Sequence, residues 1–505
     1  MRNPHLPASC LPALLFLFLS HSTQAKQPSE VVGSRPNVVV IFMDDMAYAD
    51  IGPFGAKDYP TPNLDRLASE GRRFTDFSVS SAVCSASRSA LLTGCYHRRL
   101  GLSGALGPKS NIGLAPSETT FAEVCQSAGY RTACFGKWHL GHHPKFLPTN
   151  QGFDQFYGIP YSNDMWPLHP DTIRRQKKNP NDPGNWPPLP IIEATAGLAP
   201  RIINDNVQPF DQEQMTVELT RRSVNFIEES SDKPFLLYLP HPMVHVPLYV
   251  SDRFRGKSGA GLFGDVVMEV DWSVGQILTA IKIAGQQDNT LVIFTSDNGP
   301  WLSYGNHAGS AGPLREGKGT QWEGGVREPT VMWWPGKIPA NTTCDQFCST
   351  IDILPTLVEL TGGKPPKAKI DGHSILDLML DVPDARSPHE TYVGYYGGGQ
   401  LQTIRNERFK LVFPHAYRTL GDREAGRDGM PNGYAMTQSQ LELYDLDADV
   451  SESTNVIEQH PDVVHQLKAA AEVYRQQLGD KLQKVSGNEV RGPGKLTDDD
   501  ERLTW

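Results

Sequence analysis

The amino-acid sequence predicts an α/β fold in which a large, mostly parallel sheet lies between layers of helices. Residues 37–43 form a continuous, mostly β-branched apolar run, which is the pattern of a strand buried on both faces. Helical patterns at residues 216–229 and 265–283 each lead into an apolar run, at 234–239 and 290–295 respectively. Strands that alternate with helices in this way are typical of a parallel sheet covered by helices.

One further helix and strand are predicted between these elements. Thr120 and Glu123 have the spacing of a capping box, in which each side chain accepts a hydrogen bond from the backbone N–H of the other residue. The helix that they open is expected to end near Gly129, and the apolar run at 130–135 predicts the next strand. This unit therefore adds another strand to the same sheet.

The C-terminal part of the chain has a different pattern. Short strands are predicted at residues 391–396, 402–404, 409–413 and 441–446, and a helix is predicted at 461–479. The strands are joined by turns instead of helices, which is typical of an antiparallel sheet. We therefore expect a smaller α+β unit, with the helix packed on its sheet.

The N-terminus has the pattern of a secretory signal peptide. Arg2 is followed by a short apolar run at residues 11–19 and by Thr23-Gln-Ala25, a small-x-small cleavage site. The run is too short to span a bilayer, and no second hydrophobic segment follows it. We predict an exported protein without a membrane span, whose final compartment (periplasmic, extracellular or lysosomal) depends on the host.

Length and composition bound the domain organisation. The chain has 505 residues, of which 39% are hydrophobic and 21% are charged, as in ordinary globular proteins. We predict a signal peptide at residues 1–25, a large α/β domain at 26–388, a small antiparallel-sheet domain at 389–481 and a polar, mobile tail at 482–505. The net charge of −10 argues against nucleic acid as a partner. The oligomeric state stays open.

Cysteine usage gives no regular disulfide framework. Of the seven cysteines, one would leave with the signal peptide. Cys344 could pair with Cys348, or Cys125 with Cys134, and the sequence does not decide the connectivity.

Polar clusters follow four of the predicted strands. In open α/β sheets, ligands bind beyond the carboxyl ends of the strands, so these clusters are expected to converge. Each cluster alone is also explained by ordinary turn chemistry. The clusters are Asp44-Asp45, Lys137 with His139, His241 with His245, and Asp297-Asn298.

The acidic clusters predict a metal site. Asp44, Asp45, Asp297 and Asn298 offer only oxygen donors, which suit a hard cation such as calcium or magnesium and disfavour zinc. Three carboxylates in one buried site would repel one another, and a divalent cation would offset that repulsion.

Cys84 opens an apolar helical stretch. A cysteine in this position is most often a small buried hydrophobe. Arg88 follows four residues later, so on a helix its side chain shares a face with residue 84.

Five segments resemble the motifs of one known family. They are Cys-Ser-Ala-Ser-Arg at residues 84–88, Gly-Tyr-Arg-Thr-Ala-Cys-Phe-Gly-Lys-Trp-His at 129–139, and three shorter segments at 158–162, 317–320 and 323–327. They are similar to type I sulfatases, in particular to the arylsulfatase A and N-acetylgalactosamine-6-sulfatase branch. The resemblance covers about residues 35–455, and the family's alkaline-phosphatase-like sandwich agrees with the α/β prediction.

The resemblance implies a reaction and its cofactors. In that family a maturation enzyme oxidises the cysteine to formylglycine, whose hydrated aldehyde attacks sulfur. It implies a sulfuric ester hydrolase that acts on a sulfated carbohydrate or an aryl sulfate, through a covalent sulfate ester on residue 84. It also selects calcium over magnesium, with Asp44, Asp45, Asp297, Asn298 and the modified Cys84 as ligands.

The resemblance further implies roles for single residues. Asp297 would activate the nucleophile, Lys318 and His245 would bind sulfate and protonate the leaving oxygen, and His139 would help to remove the second hydroxyl proton. Arg88 and Lys137 would hold the diol oxygens. The residues assigned to catalysis are Cys84, Arg88, Lys137, His139, His245 and Lys318, and those assigned to substrate binding are Ser162, Lys137, His245 and Lys318.

Two other functions remain open. One is a phosphoesterase or phosphonate hydrolase of the same superfamily, although the additional Asp and His ligands of its two-zinc sites are not evident here. The other is a secreted, non-catalytic binding protein in which Cys84 is never matured, because Ala86 stands where most sulfatases carry proline.

Substrate specificity is expected to involve residues 163–214. This polar, proline-rich segment is interpreted as a long loop that forms one wall of the pocket. Trp166 and His169 could contact a sugar ring, or could simply pack within the loop. His241 is interpreted as scaffold.

Overall fold

The computed structural model describes Met1 and residues 31–182, 185–230 and 232–503. Apart from Met1, the predicted signal peptide at residues 1–25 lies outside these residues, so it stays a prediction. Within the described ranges, no helix combines the length and the apolar character needed to cross a bilayer.

The structure alternates strands and helices through its first two thirds and then becomes mainly β. The strands are β1 Asn37–Met43, β2 Arg72–Phe74, β3 Phe77–Ser78, β4 Ile112–Gly113, β5 Arg131–Lys137, β6 Gln155–Ile159, β7 Ile191–Thr195, β8 Arg201–Asn204, β9 Phe235–Pro240, β10 Thr290–Ser296, β11 Thr330–Trp333, β12 Thr342–Cys344, β13 Cys348–Ser349, β14 Tyr392–Tyr396, β15 Gln400–Arg405, β16 Phe409–Val412, β17 Ala416–Thr419, β18 Ala435–Gln438, β19 Glu442–Asp445, β20 Gly479–Asp480, β21 Val485–Ser486 and β22 Gly494–Lys495. The helices are α1 Pro62–Ser69, α2 Cys84–Thr93, α3 Phe121–Ser127, α4 Pro170–Lys178, α5 Pro209–Glu228, α6 Gly261–Ile283, α7 Glu323–Val326, α8 Ile353–Thr361, α9 Leu376–Met379 and α10 Pro461–Leu478.

A ten-stranded sheet forms the centre of the molecule, in the order β12-β2-β11-β10-β1-β9-β5-β6-β7-β8. Its five middle strands, β10 to β6 in that order, all run parallel. Antiparallel pairs join β10 to β11 on one side and β6 to β7 on the other. The predicted large, mostly parallel sheet is therefore confirmed.

Strand β1 shows why this sheet is buried on both faces. Val38, Val40 and Phe42 point into one core, whereas Val39 and Ile41 point into the other. Side chains alternate between the faces of a strand, so an unbroken apolar run feeds both cores. Helices α2, α3 and α8 contribute to the first core, and α1, α5 and α6 contribute to the second.

The C-terminal part contains the second predicted sheet. Strands β14, β15, β16 and β19 pair antiparallel in that order. Helix α10 packs on this sheet through Leu467 and Ala471, and the same core includes Ala90 of helix α2. The fold class is confirmed, whereas the domain boundary at residue 389 stays a prediction.

The predicted capping box is present. The Thr120 hydroxyl accepts a hydrogen bond from the Glu123 N–H, and the Glu123 carboxylate accepts one from the Thr120 N–H. Helix α3 begins directly after Thr120, as the spacing predicts.

Two expectations about irregular segments are wrong. Residues 163–214 contain helix α4 and two strands, β7 and β8, which extend the central sheet beyond β6. Trp166 is fully buried and its indole N–H donates to the carbonyl of Val207, so it packs and cannot contact a sugar. Residues 482–503 pack on the rest of the structure instead of forming a free tail, because β22 pairs with β4 and Arg491 forms an ion pair with Glu118.

The described cysteines are all free thiols in the structure. Cys344 and Cys348 are close enough for their thiols to share a hydrogen bond, whereas Cys125 and Cys134 lie buried in the apolar core.

Candidate active site

The polar clusters that follow β1 and β10 meet at one edge of the central sheet. These strands are adjacent and in parallel register, with Met43 opposite Ser296, so the next residues of each strand are neighbours. The Asp45 N–H donates to Asp297 Oδ1 at 3.2 Å. The Asn298 amide donates to Asp45 Oδ1 at 2.7 Å. The register of two strands thus brings together acidic residues that are 252 positions apart in the sequence.

Cys84 is the first residue of helix α2, which begins after extended Val83 and ends at Gly94 in the left-handed conformation. Only 2% of Cys84 is exposed. The Lys318 ammonium lies 3.3 Å from Cys84 Sγ and also donates to Asp45 Oδ1 at 2.5 Å. Residue 84 therefore lies at the positive end of a helix dipole and beside a cation, an environment that favours negative charge.

Arg88 lies one turn further along helix α2 and is completely buried. Its Nε and Nη2 donate to Asp297 Oδ2, and its Nη1 donates to the carbonyl of Lys137. Nη2 also lies 3.5 Å from Asp44 Oδ1. Burial opposes the charge on Arg88, but the carboxylates of Asp297 and Asp44 outweigh burial and raise its pKa above the ordinary value.

Lys137 ends strand β5 and joins the acidic cluster to the following loop. Its ammonium donates to Asp44 Oδ2 at 2.5 Å and to the Ser162 hydroxyl at 2.9 Å. The sequence-predicted residue Ser162 is thereby placed within the same site.

The three histidines of the predicted clusters differ in their surroundings. His139 is buried, and neither of its ring nitrogens has a hydrogen-bond partner among the described residues. Burial and the neighbouring Lys137 hold the pKa of His139 well below its ordinary value. His245 Nδ1 lies 2.6 Å from the Val246 carbonyl, and its Nε2 faces Asp45 Oδ2 at 3.6 Å. His241 instead lies 3.2 Å from the Ser273 hydroxyl of helix α6, in agreement with a scaffold role.

Comparisons with known proteins identify the family. A family model described as "Sulfatase" matches residues 36–363, about two thirds of the chain. The chain belongs to the sulfatase family. A second model, described as "N-sulphoglucosamine sulphohydrolase, C-terminal", matches residues 317–424 of this sulfatase. The sulfatase is therefore a sulfuric ester hydrolase, from a family that uses formylglycine and a metal ion.

Individual relatives confirm the arylsulfatase A branch. The sulfatase is 34% identical to arylsulfatase G of Rattus norvegicus, over 94% of this chain and 91% of the relative. It is 37% identical to arylsulfatase A of Homo sapiens, over 84% of each chain.

Solved structures show the same fold. The PsFucS1 sulfatase from Pseudoalteromonas sp. matches with a TM-score of 0.78 and 27% identity, covering 87% of this chain and 90% of that one. The structure of Ps i-CgsB in complex with k-i-k-neocarrahexaose matches with a TM-score of 0.68 and 26% identity, covering 87% and 92%.

The donor atoms of the sulfatase fit a hard cation. Asp44 Oδ1, Asp45 Oδ2 and Asn298 Oδ1 are buried oxygens without a hydrogen-bond partner among the described residues. Single ligand atoms of Asp44, Asp45, Cys84 and His245 also lie within 4.8 Å of one another. These four residues include His245, whereas the ligand set predicted from the sequence contains Asp297 and Asn298 instead. The three unpartnered oxygens suit calcium or magnesium. Both carboxylate oxygens of Asp297 accept hydrogen bonds, from Asp45 and Arg88, so its place in the ligand set stays a prediction.

Burial and neighbouring charges shift the pKa values of several groups in the site. Burial raises the pKa of Asp297 to about 7, with Asp44 adding to the rise. Burial acts in the same direction on Asp44, but the charges of Lys137, His245, Arg88 and Lys318 together outweigh it and hold the pKa of Asp44 well below the ordinary value. Burial raises the pKa of the Cys84 thiol to about 12. For unmodified Cys84 burial therefore outweighs the nearby cations Lys137 and Lys318 and favours the thiol over the thiolate, which is the nucleophilic form of cysteine.

Two residues beside this site were missed by the sequence analysis. Trp301 follows the Asp297-Asn298 cluster closely, and its proximity to that motif was the available signal. Arg418 donates to the carbonyl of Lys318 from a hairpin 100 residues away, and no local pattern indicates that contact.

Proposed function

We propose that this sulfatase releases inorganic sulfate from a sulfate ester carried by a carbohydrate. The observation that supports the proposal is the position of Lys318, whose ammonium contacts both Cys84 Sγ and Asp45. A cation at this point would hold the sulfate group against residue 84. Of the similar structures, Ps i-CgsB carries a bound neocarrahexaose, which favours a sugar over a simple aryl ester.

The oxidised form of Cys84, formylglycine, would supply the nucleophile that attacks sulfur. Asp297 would accept its proton, and Arg88 with Lys137 would hold its oxygens. Both cations belong to the same buried cluster, because Arg88 contacts Asp297 and Lys137 contacts Asp44. Buried charges act strongly because no water screens them.

Lys318 and His245 would bind the sulfate oxygens and protonate the leaving alcohol oxygen. Ser162, which is hydrogen-bonded to Lys137, would contact the sulfate from the opposite loop. His139 would accept the proton that is lost when sulfate is finally expelled. Its unpartnered ring nitrogens and lowered pKa suit a neutral imidazole that accepts a proton.

Calcium would be held by Asp44, Asp45, Asp297, Asn298 and the modified residue 84. When bound, it supplies Lewis-acid polarisation of the sulfate oxygens. The protein residues around it would keep the three carboxylates at the ends of β1 and β10 in place.

Maturation and export belong to the same proposal. A formylglycine-generating enzyme would oxidise Cys84 in a segment that carries Ala86 in place of the usual proline. The N-terminal pattern at residues 1–25 supports export of the chain.

Two measurements test the proposal. The mass of the native peptide spanning residues 81–88 should show formylglycine at residue 84. In parallel assays, the protein should hydrolyse sulfate esters faster than the corresponding phosphate esters. Fully active protein with an unmodified cysteine would disprove the mechanism, and a preference for phosphate would favour a phosphoesterase.

A further inference from the structure

A hairpin from the C-terminal part of the chain packs directly against the loop that carries Lys318. Arg418 of strand β17 donates from Nε to the Lys318 carbonyl at 2.9 Å, and its Nη2 donates to the same oxygen. Gly319 makes this approach possible, because a Cβ there would lie 2.4 Å from the Arg418 guanidinium. Gly319 also has a φ of +82°, which L side chains rarely adopt.

The loop between β17 and β18 is fixed on the segment that follows Trp301. The carbonyl of Ser303 accepts hydrogen bonds from the N–H groups of Gly426 and Asn432, each at 2.9 Å. The Ser303 N–H donates to the Tyr434 hydroxyl at 3.1 Å. A Cβ on Gly305 would lie 2.0 Å from the Gly426 carbonyl oxygen, so the two backbones touch. The hairpin is therefore a fixed part of the site.

Trp301 connects this hairpin to the sulfate-binding residues. The Lys318 ammonium lies 4.9 Å from the centroid of the Trp301 ring, and the His245 ring centroid lies 5.6 Å from it. The Arg418 guanidinium lies 6.0 Å from the Trp301 ring and 4.7 Å from the Tyr434 ring. Trp301 thus contacts both side chains that are proposed to bind sulfate, and Arg418 as well.

Burial indicates which residues the rest of the substrate must meet. Lys318 and His245 are only 6% and 2% exposed, whereas Trp301, Arg418 and Tyr434 are partly exposed. A sulfate group bound at the buried residues leaves its alcohol pointing outwards. The alcohol must then lie beside the partly exposed residues.

The partly exposed residues also carry hydrogen-bond donors that a substrate could use. Among the described residues, neither Arg418 Nη1 nor the Trp301 indole N–H has a hydrogen-bond partner, and neither atom is sealed from solvent. Burial raises the pKa of Glu316, and a hydrogen bond from Thr419 and the charges of Arg315 and Arg418 partly offset that rise. With a carboxylate already nearby, the guanidinium suits a neutral hydroxyl better than a second anion.

We propose that Trp301, Arg418 and Tyr434 form the subsite for the sugar ring that carries the sulfate, and that the C-terminal hairpin thereby sets substrate specificity. Trp301 packs against the apolar face of a pyranose ring. Arg418 Nη1 donates a hydrogen bond to a ring hydroxyl near the sulfate. This inference rests on the proposed function, because it requires a sulfated sugar at the buried site.

The test compares KM values for a monosaccharide sulfate with inhibition by inorganic sulfate. Trp301→Ala should raise KM about tenfold, whereas inorganic sulfate should inhibit it as strongly as the wild-type protein, because sulfate alone contacts only the buried residues. Trp301→Phe, which keeps an aromatic ring, should recover most of the loss. Trp272→Ala, a partly exposed tryptophan on α6, is the matched control and should leave KM unchanged.

A second variant tests the hydrogen bond. The wild-type protein should show a KM about fivefold to tenfold higher for a deoxy analogue that lacks the contacted hydroxyl. Arg418→Lys keeps the charge but removes Nη1, so it should lose this discrimination and give equal KM values for the sugar sulfate and its deoxy analogue.

The outcomes separate the two claims. A wild-type protein that releases no sulfate from any sugar sulfate overturns the proposed function, and this inference with it. An active wild-type protein whose KM is unaffected by Trp301→Ala overturns the subsite alone. The subsite is also overturned if Trp301→Ala weakens inhibition by inorganic sulfate as much as it raises KM, because Trp301 would then act through Lys318.

Discussion

Arg88 directs two nitrogens, Nε and Nη2, at the same carboxylate oxygen of Asp297, at distances of 3.0 and 2.8 Å. Both side chains are completely buried. The pair ties the first turns of helix α2 to the end of strand β10 and so fixes residue 84 relative to the acidic cluster. Removing one partner of such a pair leaves a buried, uncompensated charge.

Arg88→Gln should therefore reduce the free energy of unfolding by about 3–5 kcal/mol and abolish sulfate release. Urea denaturation of the purified variant measures the first effect. Arg174→Ala, which breaks the exposed pair with Asp171, is the control and should cost less than about 1 kcal/mol. Equal stability of the Arg88 variant and the wild-type protein would contradict the structural role.

Cys84→Ala should eliminate sulfate release while leaving the fold intact. Only one buried sulfur atom is removed, so the expected loss of stability is about 1 kcal/mol. Thermal unfolding and a sulfate-release assay on the same sample separate the two effects. Cys125→Ala removes an equally buried thiol from the apolar core and should keep full activity. If the Cys84 variant were insoluble while the Cys125 variant folded, the cysteine would be a core residue.

Removal of divalent metal should lower both activity and stability. Without a cation, the carboxylates of Asp44, Asp45 and Asp297 repel one another in a buried site. An ion at one hundred times its dissociation constant would stabilise the fold by about 2.7 kcal/mol. Unfolding after dialysis against a chelator, and again after calcium or magnesium is restored, measures this contribution. Asp44→Asn should weaken the response, and an unchanged melting temperature in the dialysed wild-type protein would rule out a metal at this site.

Alkylation of Cys344 should depend on pH with a midpoint near 7. A hydrogen bond from the Cys348 thiol, stronger in effect than burial, lowers the pKa of Cys344 to about 7. Because the pKa is lowered, the reactive thiolate is lost as the pH falls below 7. Ionisation of the thiol is nearly complete by pH 8. Cys344 lines a surface cavity of about 320 Å³, but only 2% of the residue is exposed, so the reaction should be slow. Mass spectrometry after iodoacetamide treatment between pH 5.5 and 9 gives the profile.

Cys348→Ala should move this midpoint upwards, because the hydrogen bond to the Cys344 thiolate is lost. Cys125 serves as the internal control, since burial raises the pKa of its thiol and should keep it unreactive across the same range. A midpoint for Cys344 that is unchanged by Cys348→Ala would show that another group lowers its pKa.

The parts that the sequence predicts well depend on local patterns. The unbroken apolar run of β1 predicted a doubly buried strand, and Thr120 with Glu123 predicted the start of helix α3. Asp44 and Asp297 were expected to meet because parallel strands end at a common edge. Each of these inferences needs only residue spacing and one geometric rule.

The remaining features depend on contacts that spacing does not encode. The sequence around Trp166 does not show that its indole N–H donates to the carbonyl of Val207, so its burial could not be predicted. Strand β7 pairs with the edge of β6, and β8 pairs with β7. The sequence between residues 163 and 214 does not indicate this pairing. Arg418 reaches Lys318 only because Gly305 and Gly319 let a distant hairpin approach.

The parallel pairing of β1 with β10 also determines when the site can form during synthesis of the polypeptide. A ribosome has to add more than 200 residues after Cys84 before Asp297 exists, and more than 300 before Arg418 exists. During that interval no pocket can close over residue 84, whereas afterwards only 2% of its surface remains in contact with water. The maturation enzyme proposed for Cys84 would therefore act on the nascent or still unfolded chain, and rapid folding would compete with it.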